Sequence, residues 1–90
     1  MYIRVLPGLG QVIDEYNRYR SPEVTAKIEY IGEDYIDILF KGSFCYTCGF
    51  YDYFEDFIIE AREFGIILSL ERIVEIGGGA IVRFKVEGGV

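Results

Sequence analysis

The chain has no histidine and no tryptophan, and only one methionine, one asparagine, one glutamine and two prolines in 90 residues. Without histidine there is no Ser–His or Cys–His nucleophile pair, no imidazole to ligate zinc, and no side chain whose ordinary pKa lies near neutrality. No apolar run approaches the roughly 18 residues that suggest a membrane span. The N-terminal MYIRVLPGLG lacks a small-residue cleavage site behind a long apolar core, so no secretory signal is read and a cytoplasmic protein is expected. Neither phosphate-cradling glycine pattern, G-x-x-x-x-G-K-[ST] or G-x-G-x-x-G, occurs. Positive charge is also short: nine Lys and Arg against fifteen Asp and Glu give a net charge of −6. Binding to nucleic acid draws on clustered cations. Here the cations are scattered along the chain, with Arg18 and Arg20 close together in RYR, so nucleic acid and anionic membrane are not expected partners. The acidic excess suits solubility or a basic partner.

What the chain does have is apolar mass. Half of it is hydrophobic, enough for the core of one domain spanning 1–90. Few labile residues beside abundant Ile, Glu and Tyr fit a thermophile, and as a whole the chain resembles small α+β proteins of archaea.

Periodicity marks the elements. YIRVL (2–6) reads as a short strand, punctuated by PGLG. QVIDEYNRYR (11–20) carries Val12, Ile13 and Tyr16 at helical spacing after Leu9, and Ser21-Pro22 stops it. EVTAKIEYI (23–31) and YIDILFK (35–41) alternate about a GED turn, predicting a hairpin. Asp52 with Glu55 three residues on suggests a capping box. It opens a helix to about Phe64 whose stripe is Phe54, Phe57, Ile58, Ala61 and Phe64. Gly65 ends that helix. IILSLERIVEI (66–76) and AIVRFKVE (80–87) form a second hairpin across Gly77 to Gly79.

The halves 1–42 and 43–90 look like an internal repeat. At an offset of 41, Ile13-Asp14-Glu15-Tyr16 meets Phe54-Glu55-Asp56-Phe57, and DILFKG (37–42) meets IVRFKVEG (81–88) further on. The expected fold is α+β: a two-layer sandwich with two helices on one face of an antiparallel sheet, in the order β-α-β-β-α-β-β. Two arrangements fit that order, a duplicated βαββ unit about a pseudo-twofold or a ferredoxin-like core with an extra strand.

Strict alternation puts Val24, Ala26, Ile28, Tyr30, Ile36, Ile38, Phe40, Ile66, Leu68, Leu70, Arg72, Val74, Ile76, Ala80, Val82, Phe84 and Val86 under the helices, with Arg72 the only polar residue among them. The other face then holds six large apolar residues, Ile31, Tyr35, Leu39, Ile67, Ile73 and Ile81, as a candidate interface. A missed bulge would swap the faces locally.

FCYTCGFYDYFED (44–56) contains both cysteines, Cys45 and Cys48. They cooperate only if the chain turns between them, which Gly49 assists. The string Cys45–Asp52, C-x-x-C-G-aromatic with a following Asp, resembles the knuckle of rubredoxins and zinc ribbons. That resemblance implies thiolate ligation of zinc or iron. Such sites take four ligands, and one chain offers two thiolates, so the metal would have to be shared by Cys45 and Cys48 of two subunits. A redox pair or disulfide is a second reading, since a helix N-terminus stabilises thiolate. Nearby Asp52, Glu55 and Asp56 oppose it. Small buried side chains in a packed turn are the third. The acids sit where first helical turns begin, favouring the helix dipole over catalysis. The expectation is therefore a small binding or regulatory module acting through protein–protein contacts, as a homo-oligomer or with another protein. It is without cofactor and not an enzyme, the alternative being a redox or metal protein using Cys45 and Cys48.

Overall fold

A computed structural model describes residues 5–20, 23–42 and 50–89. They form α1 (Val5–Arg20), β1 (Val24–Ile31), β2 (Tyr35–Gly42), α2 (Phe50–Glu63), β3 (Ile66–Ile76) and β4 (Gly79–Gly89). The four strands make one antiparallel sheet in the order β1-β2-β4-β3. Both helices cover the same face of it, giving the expected two-layer α+β architecture.

Each half is a helix followed by a hairpin, and the central β2–β4 pairing relates them. Ile38 lies opposite Val82, Phe40 opposite Ala80 and Ile36 opposite Phe84. This register is symmetric about Ile38 and Val82 and sets Phe40 and Phe84 in equivalent places.

The chain start differs from the expected strand over 2–6. Val5 and Leu6 are helical, and residues 2–4 lie outside the described residues. Pro7 falls in the first turn of α1, where a backbone N–H would have no intrahelical partner, so its missing donor costs nothing. Gly8 explains itself by packing: a Cβ there would stand 3.2 Å from the Ile66 side chain. Of the two glycines that read as punctuation, Gly8 lets the helix approach β3, while Gly10 faces open space. Similarly, Asp52 lies inside the first turn of α2 rather than capping it. There a carboxylate still favours the helix dipole.

The core is aromatic. Phe40, Phe54, Phe57 and Phe84 are fully buried and Tyr16 nearly so. Their ring centroids lie 5.0 to 6.3 Å apart across Tyr16–Phe40, Tyr16–Phe57, Phe40–Phe54, Phe40–Phe57, Phe40–Phe84 and Phe57–Phe84. Most of these pairs are edge-on or tilted, the arrangement the ring quadrupole favours. Leu9, Val12 and Ala61 fill the helical side, as their spacing predicts. Gly65, at φ +83°, ends α2, while Gly78, at φ +80°, makes the turn of the second hairpin. Both conformations suit glycine.

Three register shifts break the alternation: one between Ile67 and Leu68 leaves Glu87 of β4 unpaired, and the other two are bulges in β1 and β3. The β1–β2 register shifts between Ile28 and Tyr30, and the β3–β4 register shifts between Leu70 and Arg72. The extra residues are Glu29 and Glu71. Beyond each bulge the faces exchange. Ile31 lies opposite Ile36 and Ile73 opposite Val82, so both turn to the helices and pack on the core. Tyr30, Arg72, Val74 and Ile76, expected under the helices, lie opposite Asp37, Arg83, Ile81 and Gly79 and are exposed.

Candidate functional site

The uncovered face of the sheet is organised by its registers, because directly opposite residues share a face. One cross-strand row reads Lys27, Leu39, Ile81, Val74. The next reads Tyr30, Asp37, Arg83, Arg72, and the outer one Thr25, Lys41, Gly79, Ile76. Tyr35, Lys85 and Ser69 complete it. Leu39, Ile81 and Val74 thus form a continuous aliphatic strip across three strands, with Ile76 two residues beyond Val74.

Beside that strip lies a shallow cavity of about 200 Å³ lined by Asp37, Arg72, Val74, Ile81 and Arg83. Arg83 donates to Asp37 through Nε at 2.9 Å and Nη2 at 3.1 Å, a bidentate pair. Its guanidinium carbon sits 3.9 Å from the Tyr35 ring centroid. The hydrogen bonds to Asp37, aided by the charges of Asp37 and Glu71, hold the Arg83 pKa above its ordinary value despite partial desolvation. Arg72, directly across from Arg83, has no ion-pair partner among the described residues. At the far end Ser69 Oγ donates to Glu87 at 2.6 Å.

Face assignment reveals a charge pattern that chain order conceals. Lys27, Lys41, Arg72, Arg83 and Lys85 are on the open face, against Asp37 in the registers, Glu87 beside Ser69, and the bulge residue Glu71, whose charge acts on Arg83. The helices carry Asp14, Glu15, Asp52, Glu55, Asp56, Glu60 and Glu63 against Arg18, Arg20 and Arg62. The acidic excess of the chain therefore lies on the helices, while the open face of the sheet gathers five cations.

Of the six candidate interface residues, Tyr35, Leu39 and Ile81 lie together on the open face, and Ile67 is exposed at the start of β3. Ile31 and Ile73 belong to the covered face, moved there by the two bulges. Tyr30, Val74 and Ile76 take their place. The bulges have no signature in alternation, since an added residue is visible only in the cross-strand register. Cys45 and Cys48, with the shared-metal and redox readings placed on them, lie outside the described residues. Among the described residues no cluster of three or more acidic or thiol groups could hold a metal ion. No described helix is long and apolar enough to cross a membrane.

The helical layer has its own groove, about 260 Å³, lined by Tyr16, Tyr19, Arg20, Asp56, Ile59 and Glu60. Its polar groups are engaged with one another. Arg20 pairs with Asp56 and lies 5.6 Å from the Tyr53 ring centroid. The Tyr16 hydroxyl donates to the Tyr53 carbonyl at 2.8 Å, and the Tyr53 hydroxyl donates to the Glu23 carboxylate. Burial pushes the Tyr16 pKa well above the ordinary tyrosine value. Partial burial, with Glu63 and Glu15 nearby, raises that of Glu60. These contacts tie α1, α2 and the start of β1 together. Asp14 and Glu15, expected in a first helical turn, instead lie past the middle of α1, which begins at Val5 with no acid in its first turn, and Glu15 pairs with Arg18 at 3.4 Å.

Compared with protein-family profiles, curated proteins and solved structures, the chain matches none.

Proposed function

We propose that this chain is a binding or regulatory module that works by protein–protein contact through the open face of its sheet. The observation that supports it is the aliphatic strip Leu39, Ile81, Val74, uncovered by any described helix and ringed by Lys27, Lys41, Arg72 and Lys85. An apolar centre with a charged rim is the anatomy of a docking surface. The rim calls for an acidic partner. Two copies face to face would set this basic rim against itself, so the partner on this face is a different protein. Single-stranded nucleic acid fits less well. The Tyr35 ring is occupied by Arg83, Arg83 is neutralised by Asp37, and the strip is aliphatic where bases would need stacking platforms. The same reading treats the halves as one αββ unit used twice.

The test compares wild type, Ile81→Asp on the strip and Ile59→Asp on the exposed helical layer as affinity baits in native lysate, with and without nuclease. A nuclease-resistant acidic protein is expected on wild type and Ile59→Asp, weakened by salt and absent from Ile81→Asp. An identical set of proteins on all three baits, or retention that nuclease abolishes, would reject the reading.

A further inference from the structure

The two margins of the sheet are finished differently. At β1, the Asn17 side chain acts as a short strand: its Nδ2 donates to the Ala26 carbonyl at 3.0 Å, and the Ala26 N–H donates to its Oδ1 at 2.7 Å. Both outward groups of that residue are thereby satisfied, as a neighbouring strand would do. At β3, no described residue forms a strand on the outer side, although the strand is 11 residues long. Half of the eight exposed large hydrophobic residues among those described sit on β3: Ile67, Leu70, Val74 and Ile76. A long apolar edge is a template for strand addition.

The β3 sequence is complementary to itself. In an antiparallel pairing centred between Glu71 and Arg72, each Glu71 meets Arg72 of the second copy. Leu70 then meets Ile73, Ser69 meets Val74, Ile67 meets Ile76, and Leu68 meets Glu75, the one pair of unlike character. Faces must also agree, since opposite residues project to the same side. In an unbroken strand this register would oppose covered-face residues to open-face ones, because partners differ by an odd number of positions. The bulge between Leu70 and Arg72 removes the conflict. Leu70 and Ile73 both face the helices, while Ser69 and Val74 both face away, as do Ile67 and Ile76. The pairing also supplies an acidic partner to Arg72, which lies across from Arg83 without one. From the open edge, the matched faces and the central charge pairs, we infer that two copies of this chain join antiparallel along β3 into a continuous eight-stranded sheet. This inference concerns the sheet margin and does not depend on the partner proposed for the open face.

The experiment is sedimentation equilibrium over a wide dilution range on wild type, Glu71→Arg, Arg72→Glu, the double swap of both, and an equimolar mixture of the two single variants, with circular dichroism to confirm folding. Both side chains are exposed. A wild-type dimer is expected. Each single variant should weaken it by about tenfold or more, because both central pairs become like-charged. The double swap should restore it, and the mixture should form a heterodimer tighter than either single variant with itself. A wild type that stays monomeric throughout would overturn the inference. So would a dimer indifferent to both single substitutions, including one that only Ile81→Asp dissociates, which would place self-association on the open face. The Ile81→Asp bait result scores the other proposal separately.

Discussion

Offset by 41 residues, Tyr16 stands against Phe57 and Asn17 against Ile58. Tyr16 and Phe57 do the same work, meeting ring to ring at 5.4 Å in the middle of the core. Asn17 and Ile58 do not. Asn17 reaches out from α1 and closes the backbone edge of β1 at Ala26. Ile58 packs against the core from α2 and, having no polar atom, offers β3 nothing. Two halves with the same helix–hairpin order therefore end with one closed margin and one open margin. One polar side chain, the sole asparagine of the chain, separates an edge that is finished within the molecule from one available to another strand.

The deepest test of the likeness between halves is the pair Phe40 and Phe84. Each is fully buried, and the β2–β4 register makes them equivalent. Phe40→Ala and Phe84→Ala should each cost about 3–5 kcal/mol, the range for emptying a large aromatic site. Phe40 should be the costlier, because its ring meets Tyr16, Phe54, Phe57 and Phe84. Chemical denaturation checks this. A small loss for either variant would show that its half contributes little to the shared core.

A second contrast lies within β3. Ile73 packs on the core while its neighbour Val74 is exposed, an inversion the Leu70–Arg72 bulge creates. Ile73→Lys should cost about 2 kcal/mol, near the value of burying an aliphatic side chain. Val74→Lys should stay within about 0.5 kcal/mol. Equal losses in thermal melts would place the bulge elsewhere.

Closing the β1 margin is worth somewhat less. Asn17→Ala leaves the Ala26 N–H and carbonyl without their side-chain partner. A loss of about 1–2 kcal/mol is expected for part-buried groups. The Ala26 amide should also exchange faster in deuterated buffer, and an unaltered exchange rate there would remove Asn17 from the edge.

The smallest effect belongs to the Tyr16 hydroxyl. Its pKa is raised in the folded chain, so the protonated form is favoured there. The associated stability is fully present below the ordinary tyrosine pKa of about 10 and is lost as pH rises beyond it, because the unfolded chain ionises first. Tyr16→Phe should lose about 1 kcal/mol at neutral pH with the hydrogen bond to the Tyr53 carbonyl. It should also decline less steeply above that pH. Parallel alkaline titrations of the two proteins would contradict this.

Much of the fold was legible because it rests on period. Alternation located both hairpins, and helical spacing located Leu9, Val12 and Tyr16 on one helix and Phe54, Phe57 and Ala61 on the other. DILFKG and IVRFKVEG place Phe40 and Phe84 symmetrically about the Ile38–Val82 pair. What escaped depends on contacts between distant residues. Pro7 and Gly8 look like helix breakers until Ile66 shows why α1 runs through them. The bulges at Glu29 and Glu71 belong to pairs of strands, so Ile31 and Ile73 were placed on the wrong face. The gathering of cations on the open face was hidden for the same reason: Lys27, Lys41, Arg72 and the Arg83–Lys85 pair come to one face only when the strands are in register. Asn17 gave no sign of its role, because hydrogen-bonding an edge strand needs no motif.

The contrast between a closed and an open margin is measured most directly by amide hydrogen exchange, resolved by residue, at low and high protein concentration. The Ala26 amide should be protected to the same degree at both concentrations, since its acceptor is Asn17 of the same chain. Outward-facing amides of β3, between Ile66 and Ile76, should exchange rapidly when dilute and become protected when concentrated. Protection of β3 that is already complete at the lowest concentration with a monomeric mass, or exchange at β3 that no concentration slows, would contradict an edge left open for a second copy.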